Sequence, residues 1–163
     1  MPHSNTVKRP TGPAPMMTTS VWCEVCPLAM FPNVTERSRK IKAPGVDRPG
    51  VAAVLPTTVQ PCLLIDAGAN VDCKPHQLLQ FARLGSIYVE DVWQRPNPRV
   101  GLLNIGEEAE KGDELTVEVH RLLRESDLNF IGNIEGRDVI RGTCDVLVAD
   151  GFVANVLLKF YES

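Results

Sequence analysis

From residue 41 onward the chain alternates between short apolar runs and segments whose apolar positions recur every three or four residues. Val51-Ala-Ala-Val-Leu55 and Cys62-Leu-Leu-Ile65 are continuous apolar runs bounded by Pro, Gly or Asp, as strands covered on both faces are. Val100-Gly-Leu-Leu-Asn-Ile105, Leu128-Asn-Phe-Ile131 and Val146-Leu-Val148 repeat the pattern. Pro75 suits the first position of a helix, where its missing N–H costs nothing, and Leu78, Phe81, Ala82, Tyr88 and Val89 form the apolar stripe behind it. Leu115, Val119, Leu122 and Leu123 mark a second helix starting near Asp113. Val153, Val156, Leu157 and Phe160 mark a third, starting near Gly151. The order strand, strand, helix, strand, helix, strand, strand, helix predicts an α/β fold, a partial three-layer sandwich around a mainly parallel or mixed sheet.

Residues 1–50 read differently, with eight of the 13 prolines and no sustained period. An irregular, Pro-rich arm is expected over 1–40 and a core over 41–163; the apolar patch Val21 to Phe31 is confined by Pro27 and Pro32. Charge divides in the same way. Residues 1–50 carry seven Lys+Arg against three Asp+Glu, which leaves ten against seventeen, a net of −7, for the remainder. Such a body lacks the phosphate-neutralising surface that nonspecific nucleic-acid binding needs, so any anion site is local. The five cysteines are an odd number without a regular framework, which fits a reducing compartment. Cys23-Glu-Val-Cys26 is half of a zinc spacing without its second half, so free thiols and no metal are expected. No stretch reaches the roughly 18–20 apolar residues of a membrane span, and a cytoplasmic protein is the expectation.

The chemistry concentrates where strands end. Asp66-Ala-Gly-Ala-Asn-Val-Asp72, Asn104-Ile-Gly-Glu-Glu108 continuing to Lys111-Gly112, Gly132-Asn-Ile-Glu-Gly-Arg137 and Asp150-Gly-Phe-Val-Ala-Asn155 each set Gly beside Asn or Asp. That combination exposes backbone N–H groups and short amides, which cradle anions or polar carbonyls. The same residues are ordinary turn formers and helix caps, and Asp66 reads as a cap for its own loop. Lys111 stands out, next to the Asn104–Gly106 loop and just before a helix start. No nucleotide-binding glycine fingerprint occurs.

Gly45-Val-Asp-Arg-Pro49, Ala53-Val-Leu-Pro-Thr57, Asp66-Ala-Gly-Ala-Asn-Val-Asp-Cys-Lys-Pro75, Leu79-Gln-Phe-Ala82, Pro98-Arg-Val-Gly-Leu-Leu-Asn-Ile-Gly-Glu-Glu108, Asn129-Phe-Ile-Gly-Asn133, Glu135-Gly-Arg-Asp138 and Asp150-Gly-Phe-Val153 together resemble the phosphate acyltransferases of bacterial phospholipid synthesis, the PlsX family. The resemblance runs nearly without gaps from about Ile41 to Ser163, the middle segment of the family's length. It implies a fold like those of isocitrate and isopropylmalate dehydrogenases and of phosphotransacetylases. It implies transfer of an acyl group from acyl-acyl carrier protein to inorganic phosphate, with the acyl phosphate passing to a membrane acyltransferase that acylates glycerol 3-phosphate. A homodimer, no cofactor, and a cytoplasmic location with peripheral membrane association accompany that picture. Residues 21–39 match nothing in the family, Ala154 stands where glycine is expected, and the missing ends suggest a truncated chain.

Phosphorolysis of a thioester asks little of a general base, because phosphate is substantially a dianion near neutral pH and a thiolate leaves readily. It asks for positioning and for charge stabilisation. Lys111 is the first choice for the charge, with Asn104 and Asn133 as amide donors, and Asp150 to orient Lys111 or a phosphate hydroxyl. Asn70, Gly106, Gly132, Gly151 and Asn155 complete the expected substrate- and phosphate-binding set. A covalent route through Cys73 or Cys144 is the rival mechanism, lacking an obvious His partner for either. A phosphotransacetylase-like enzyme, a nicotinamide dehydrogenase of related fold, and a nonenzymatic fragment that binds acyl carrier protein remain as alternative functions.

Overall fold

A computed structural model of the chain describes residues 39–41, as backbone, and residues 44–163. The arm expected over 1–40, with its patch at 21–31 and Cys23 and Cys26, lies outside the described residues but for the start of the first strand. The elements in chain order are β1 (Arg39–Ile41), β2 (Gly50–Leu55), β3 (Cys62–Ile65), α1 (Pro75–Trp93), β4 (Val100–Leu103), α2 (Glu114–Arg124), β5 (Phe130–Ile134), α3 (Gly136–Ile140), β6 (Val146–Val148) and α4 (Gly151–Tyr161). The six strands form one sheet in the order β1-β2-β3-β6-β4-β5. β1, β2 and β3 pair antiparallel, whereas β3, β6, β4 and β5 pair parallel, so the sheet is mixed.

Alternation along the strands divides the core in two. Leu63, Ile65, Val100, Leu102, Val146 and Val148 pack against Leu78, Phe81 and Val89 of α1 and Val119 and Leu123 of α2. Cys62, Leu64, Leu103 and Leu147 point the other way, toward Val139 of α3 and Ala154 and Leu158 of α4. Three layers follow directly from that alternation, and each large side chain buried in them contributes about 1.5–3 kcal/mol. Gly85 lets α1 lie close to β6, for a Cβ there would sit 2.6 Å from Val146 Cγ1. Pro75 opens α1 as its sequence predicts, and the Gln77 side chain accepts the Lys74 N–H at 2.8 Å.

Two expectations need correction. β5 covers Phe130–Ile134 and not 128–131, so Gly132 and Asn133 are strand residues rather than members of an exit loop. The pairing with β4 slips one residue between Val100 and Gly101, and Gly132 takes φ +106°, a bulge that a glycine permits and that mimics a turn in the sequence. The short helix α3 then fills the segment read as loop, with Glu135 at its cap position. α4 starts at Gly151 as expected, and the structure decides which of its faces is buried. Val153, Val156 and Phe160 are exposed, and the face packed on the sheet is Gly151, Ala154 and Leu158. The apolar arc of α4 is wider than the sheet covers, with exposed Asn155 and Lys159 on the remaining side, and its small residues mark the stripe that meets the sheet closely.

At the edge where the parallel strands begin, Asp145 is 6% exposed and ties three segments together. It accepts Arg99 N–H at 2.9 Å, Arg99 Nε at 3.0 Å and Gln60 Nε2 at 2.6 Å, with Arg95 Nη1 at 3.7 Å. Burial alone would push this carboxyl up, but the hydrogen bonds and charge of Arg99 outweigh it and hold it below the usual carboxylate range.

Candidate active site

β3, β6, β4 and β5 are parallel, so their carboxyl ends share the opposite edge, where ligands of such sheets gather. Two clusters form there. In the first, Asp66 is fully buried at the end of β3, and its Oδ1 accepts the Val51 N–H at 2.8 Å. Its Oδ2 accepts the backbone N–H of Asn70 at 2.6 Å and Asn70 Nδ2 at 2.8 Å. This is the loop-capping role read from the sequence. Asn70 Nδ2 also reaches Pro49 O at 3.1 Å, and Asn70 O accepts the Gly151 N–H at 2.9 Å. The N–H of Gly151 is therefore already committed, and a Cβ on Gly151 would meet Asn70 O at 2.5 Å. Asp150 caps α4, its Oδ1 accepting the Val153 N–H at 2.9 Å. Asn155 is exposed one turn on, close enough to Gly68 that a Cβ there would lie 3.4 Å from its own.

The second cluster is the loop from Asn104 to Asp113. Asn104 Oδ1 accepts the Ile105 N–H at 2.7 Å, and Asn104 Nδ2 donates to Lys111 O at 2.8 Å. Lys111 N–H donates to Glu108 O at 3.1 Å. Asn133 Nδ2, from β5, donates to the same Glu108 O at 2.7 Å. Gly106 is buried beneath, and a Cβ on it would lie 3.0 Å from Lys111 Cγ. Gly112 follows at φ +97°, and Asp113 then caps α2 by accepting the Thr116 N–H at 2.8 Å. The Lys111 side chain is exposed and makes no ion pair among the described residues, although Glu107, Glu108 and Glu110 precede it; Glu107 lies 3.6 Å from Arg137 instead. Gly132 stands apart from both clusters, inside β5.

An open cavity of about 720 Å³ lies between the clusters. Its walls are Leu103, Ile105, Val153, Val156, Leu157 and Phe160, and its polar rim is Asn104, Gly112, Asp113 and Thr116. A smaller hollow of about 30 Å³ shares Leu103, Asp113, Thr116 and Val153 and extends to Asp150, which brings the two clusters to one place. The sequence marks these α4 residues only as the apolar positions of a helix, and spacing does not say that they form a wall. Its signal was the second apolar stripe of α4 together with exposed Ile105, which is 81% accessible.

The cysteines do not offer a ready nucleophile. Cys73 is buried, donates to Asn70 O at 3.2 Å, and has its thiol pushed up to about 11, chiefly by burial, with the nearby carboxylates of Asp66 and Asp150 adding to the shift against the Gly151 N–H. Cys62 and Cys144 lie with their Sγ atoms 3.6 Å apart in the core, and the contact with Cys144 together with burial raises Cys62 well above an ordinary thiol. Among the described residues no group of three or more His, Cys, Asp or Glu side chains has a metal-holding arrangement.

Fold and site together define an α/β protein of the open-sheet class, in which a loop lining an apolar cavity carries a lysine that makes no ion pair among the described residues. The chain belongs to the fatty acid synthesis protein family, whose model matches residues 33–163. It is 58% identical over 122 residues to a phosphate acyltransferase of Synechococcus elongatus, covering 73% of this chain and 35% of that protein. The phosphate acyltransferase of Nostoc punctiforme is 57% identical over 125 residues, 75% of this chain and 37% of the relative. That of Clostridium novyi is 53% identical over 118 residues, 72% and 36% respectively. The chain thus spans little more than a third of the length of these relatives. No helix of the described residues is long and apolar enough to cross a membrane.

Proposed function

We propose that the chain carries the acyl- and phosphate-binding part of an enzyme that transfers a fatty acyl group from acyl-acyl carrier protein to inorganic phosphate. A phosphate oxygen attacks the thioester carbonyl carbon, the tetrahedral oxyanion collapses with cleavage of the C–S bond, and the carrier leaves as a thiolate that takes up a proton. The observation that carries this reading is an apolar cavity whose polar rim includes Asn104, Gly112 and Asp113 of the loop that also carries Lys111, a lysine without an ion pair among the described residues. A volume near 720 Å³ falls within the roughly 300–1,000 Å³ of small-molecule sites. Each methylene it takes from water contributes about 0.8 kcal/mol, so a long chain is held by its tail while the head stays at the rim.

Lys111 supplies a point charge to phosphate and to the developing oxyanion, and a preorganised donor of this kind acts most strongly where water is displaced. The names of the relatives support both the acyl group and the phosphate. Peripheral association with a membrane, delivery of the acyl phosphate to a glycerol-3-phosphate acyltransferase, and a homodimer belong to the same proposal.

The test is release of free thiol from palmitoyl-acyl carrier protein by the folded chain, with and without inorganic phosphate. Release that requires phosphate, with acyl phosphate as the product, is expected. Release that is independent of phosphate, or its absence from a folded chain, would remove the reading for this protein.

A further inference from the structure

We infer that Asn104 and Asn133 are positioning residues that hold the backbone of Lys111, and that their amides act through that lysine rather than on the substrate. The inference rests on the acyl-transfer reading for its catalytic consequence, but its geometry stands alone. Each Nδ2 carries two N–H bonds, and one of each pair is donated to a main-chain carbonyl of the 104–113 loop, Asn104 to Lys111 O at 2.8 Å and Asn133 to Glu108 O at 2.7 Å. The Glu108 carbonyl also accepts the Lys111 N–H at 3.1 Å. Both peptide groups flanking the Lys111 Cα are therefore pinned, one by β4 through Asn104 and the other through a carbonyl that β5 holds with Asn133.

Two further features agree. Gly106 leaves room for the lysine stem, since a Cβ there would come within 3.0 Å of Lys111 Cγ. Asn133 is 6% exposed, and its Oδ1 is buried without a partner. An orphaned buried acceptor opposes stability, so the side chain at this position is explained by what its other arm holds. The loop is exposed and rich in carboxylates, and these two side chains are what ties its main chain at Glu108 and Lys111 to the sheet. Strands are the stiff parts of the molecule, and the two amides transfer their stiffness to a residue outside them.

The experiment has two arms, each run on the 163-residue chain and on Asn104→Ala, Asn133→Ala and Asn133→Asp, the last of which keeps the side-chain shape and loses the donor. In the first arm, trypsin cleavage of the Lys111–Gly112 bond is timed by mass spectrometry against cleavage after Lys159. Loss of either tie is expected to speed the first cut about tenfold or more relative to the second, with the cooperative unfolding transition retained; an unchanged ratio in variants that fold would overturn the inference. In the second arm, phosphate-dependent thiol release is measured for each variant with and without Lys111→Ala. Misplacement on the order of 1 Å lowers turnover by up to about a hundredfold, so kcat is expected to fall while KM for the acyl donor stays. The same asparagine substitutions are expected to do almost nothing further once Lys111 is Ala. Fully additive losses would mean that the amides act on their own account and would also overturn the inference. If the unsubstituted chain shows no phosphate-dependent release, the acyl-transfer reading fails, while the cleavage ratios still decide whether the two amides hold the loop.

Discussion

Lys111 combines a pinned backbone with a free side chain, and that combination separates its chemical role from its structural one. Its ammonium has no ion-pair partner among the described residues, so replacing it by Ala removes few packing contacts. Lys111→Ala is expected to lower turnover roughly a hundredfold to a thousandfold, as loss of a preorganised charge does, while leaving the urea midpoint nearly unchanged. Lys111→Arg is expected to restore part of the rate, since a planar fork does not reproduce a compact ammonium on a tight loop. Steady-state kinetics at saturating phosphate beside urea titration checks both, and near-normal turnover of the Ala variant would return Lys111 to the status of a surface lysine. At the same scale, Asp150 and Asp113 carry caps, so the carboxylates nearest the cavity already serve the helix starts.

At the scale of elements, α4 does two jobs with two stripes. Ala154 and Leu158 fix it to the sheet, and Val153, Val156 and Phe160 line the cavity. A charge on the second stripe is therefore expected to spare the fold and disturb the tail of the substrate. Val156→Asp should raise KM for a palmitoyl donor about tenfold or more, because several methylenes at about 0.8 kcal/mol each lose their wall, and it should matter little for a short acyl donor. A chain-length series of KM values checks this, and an equal effect at every length would place the acyl tail elsewhere. The sequence made β2, β3, β4, β6, α1 and α2 legible, because each has one dominant period and buried strands read as unbroken apolar runs. It misdirected at β5, where Gly132 announces a turn and delivers a bulge, and it was silent at α4, where periodicity could not say which stripe meets the sheet. The candidate loop was legible from its Asn, Gly and Lys, but the hydrogen bonds from both asparagine side chains to main-chain carbonyls are tertiary information, invisible to spacing.

For the molecule as a whole, the two edges of the parallel sheet are specialised. One gathers loops and the cavity; the other is closed by Asp145 with Arg99, Arg95 and Gln60. Asp145→Ala is expected to lower stability by about 2–3 kcal/mol, somewhat below the value for a dry ion pair because the Arg99 side chain is 40% exposed. Acid should act through two groups in sequence. His120 is buried against Phe130, with ring centroids 5.1 Å apart, and burial lowers its pKa, with the charge of Arg124 adding to the effect. A lowered folded-state value means that the unfolded chain binds the proton first, so this stability is present above about pH 6.5 and is lost as the pH falls through the folded-state value. Asp145 obeys the same sign at lower pH, its contribution being present above about pH 3.9 and lost as the pH falls through its folded-state value. Urea midpoints from pH 8 to pH 3 should fall in two stages, and His120→Gln should remove the upper one; an upper stage unaltered by that substitution would assign it to another group.

The three described thiols lie at two depths, and labelling kinetics can read them as built-in reporters. Cys73 belongs to the loop beside α4, whereas Cys62 and Cys144 touch one another beneath α4 on neighbouring segments of the central sheet. A sulfhydryl reagent reaches the first by a local excursion of that loop and the other two only when the sheet itself comes apart. With sites identified by peptide mass, Cys73 is expected to react earliest and with little dependence on added urea. Cys62 and Cys144 should then react together, at a rate that rises with urea as steeply as global unfolding does. The reverse order would mean that the centre of the sheet exchanges with open forms before its rim, and the rigidity lent to the Asn104–Asp113 loop by β4 and β5 would have a different source.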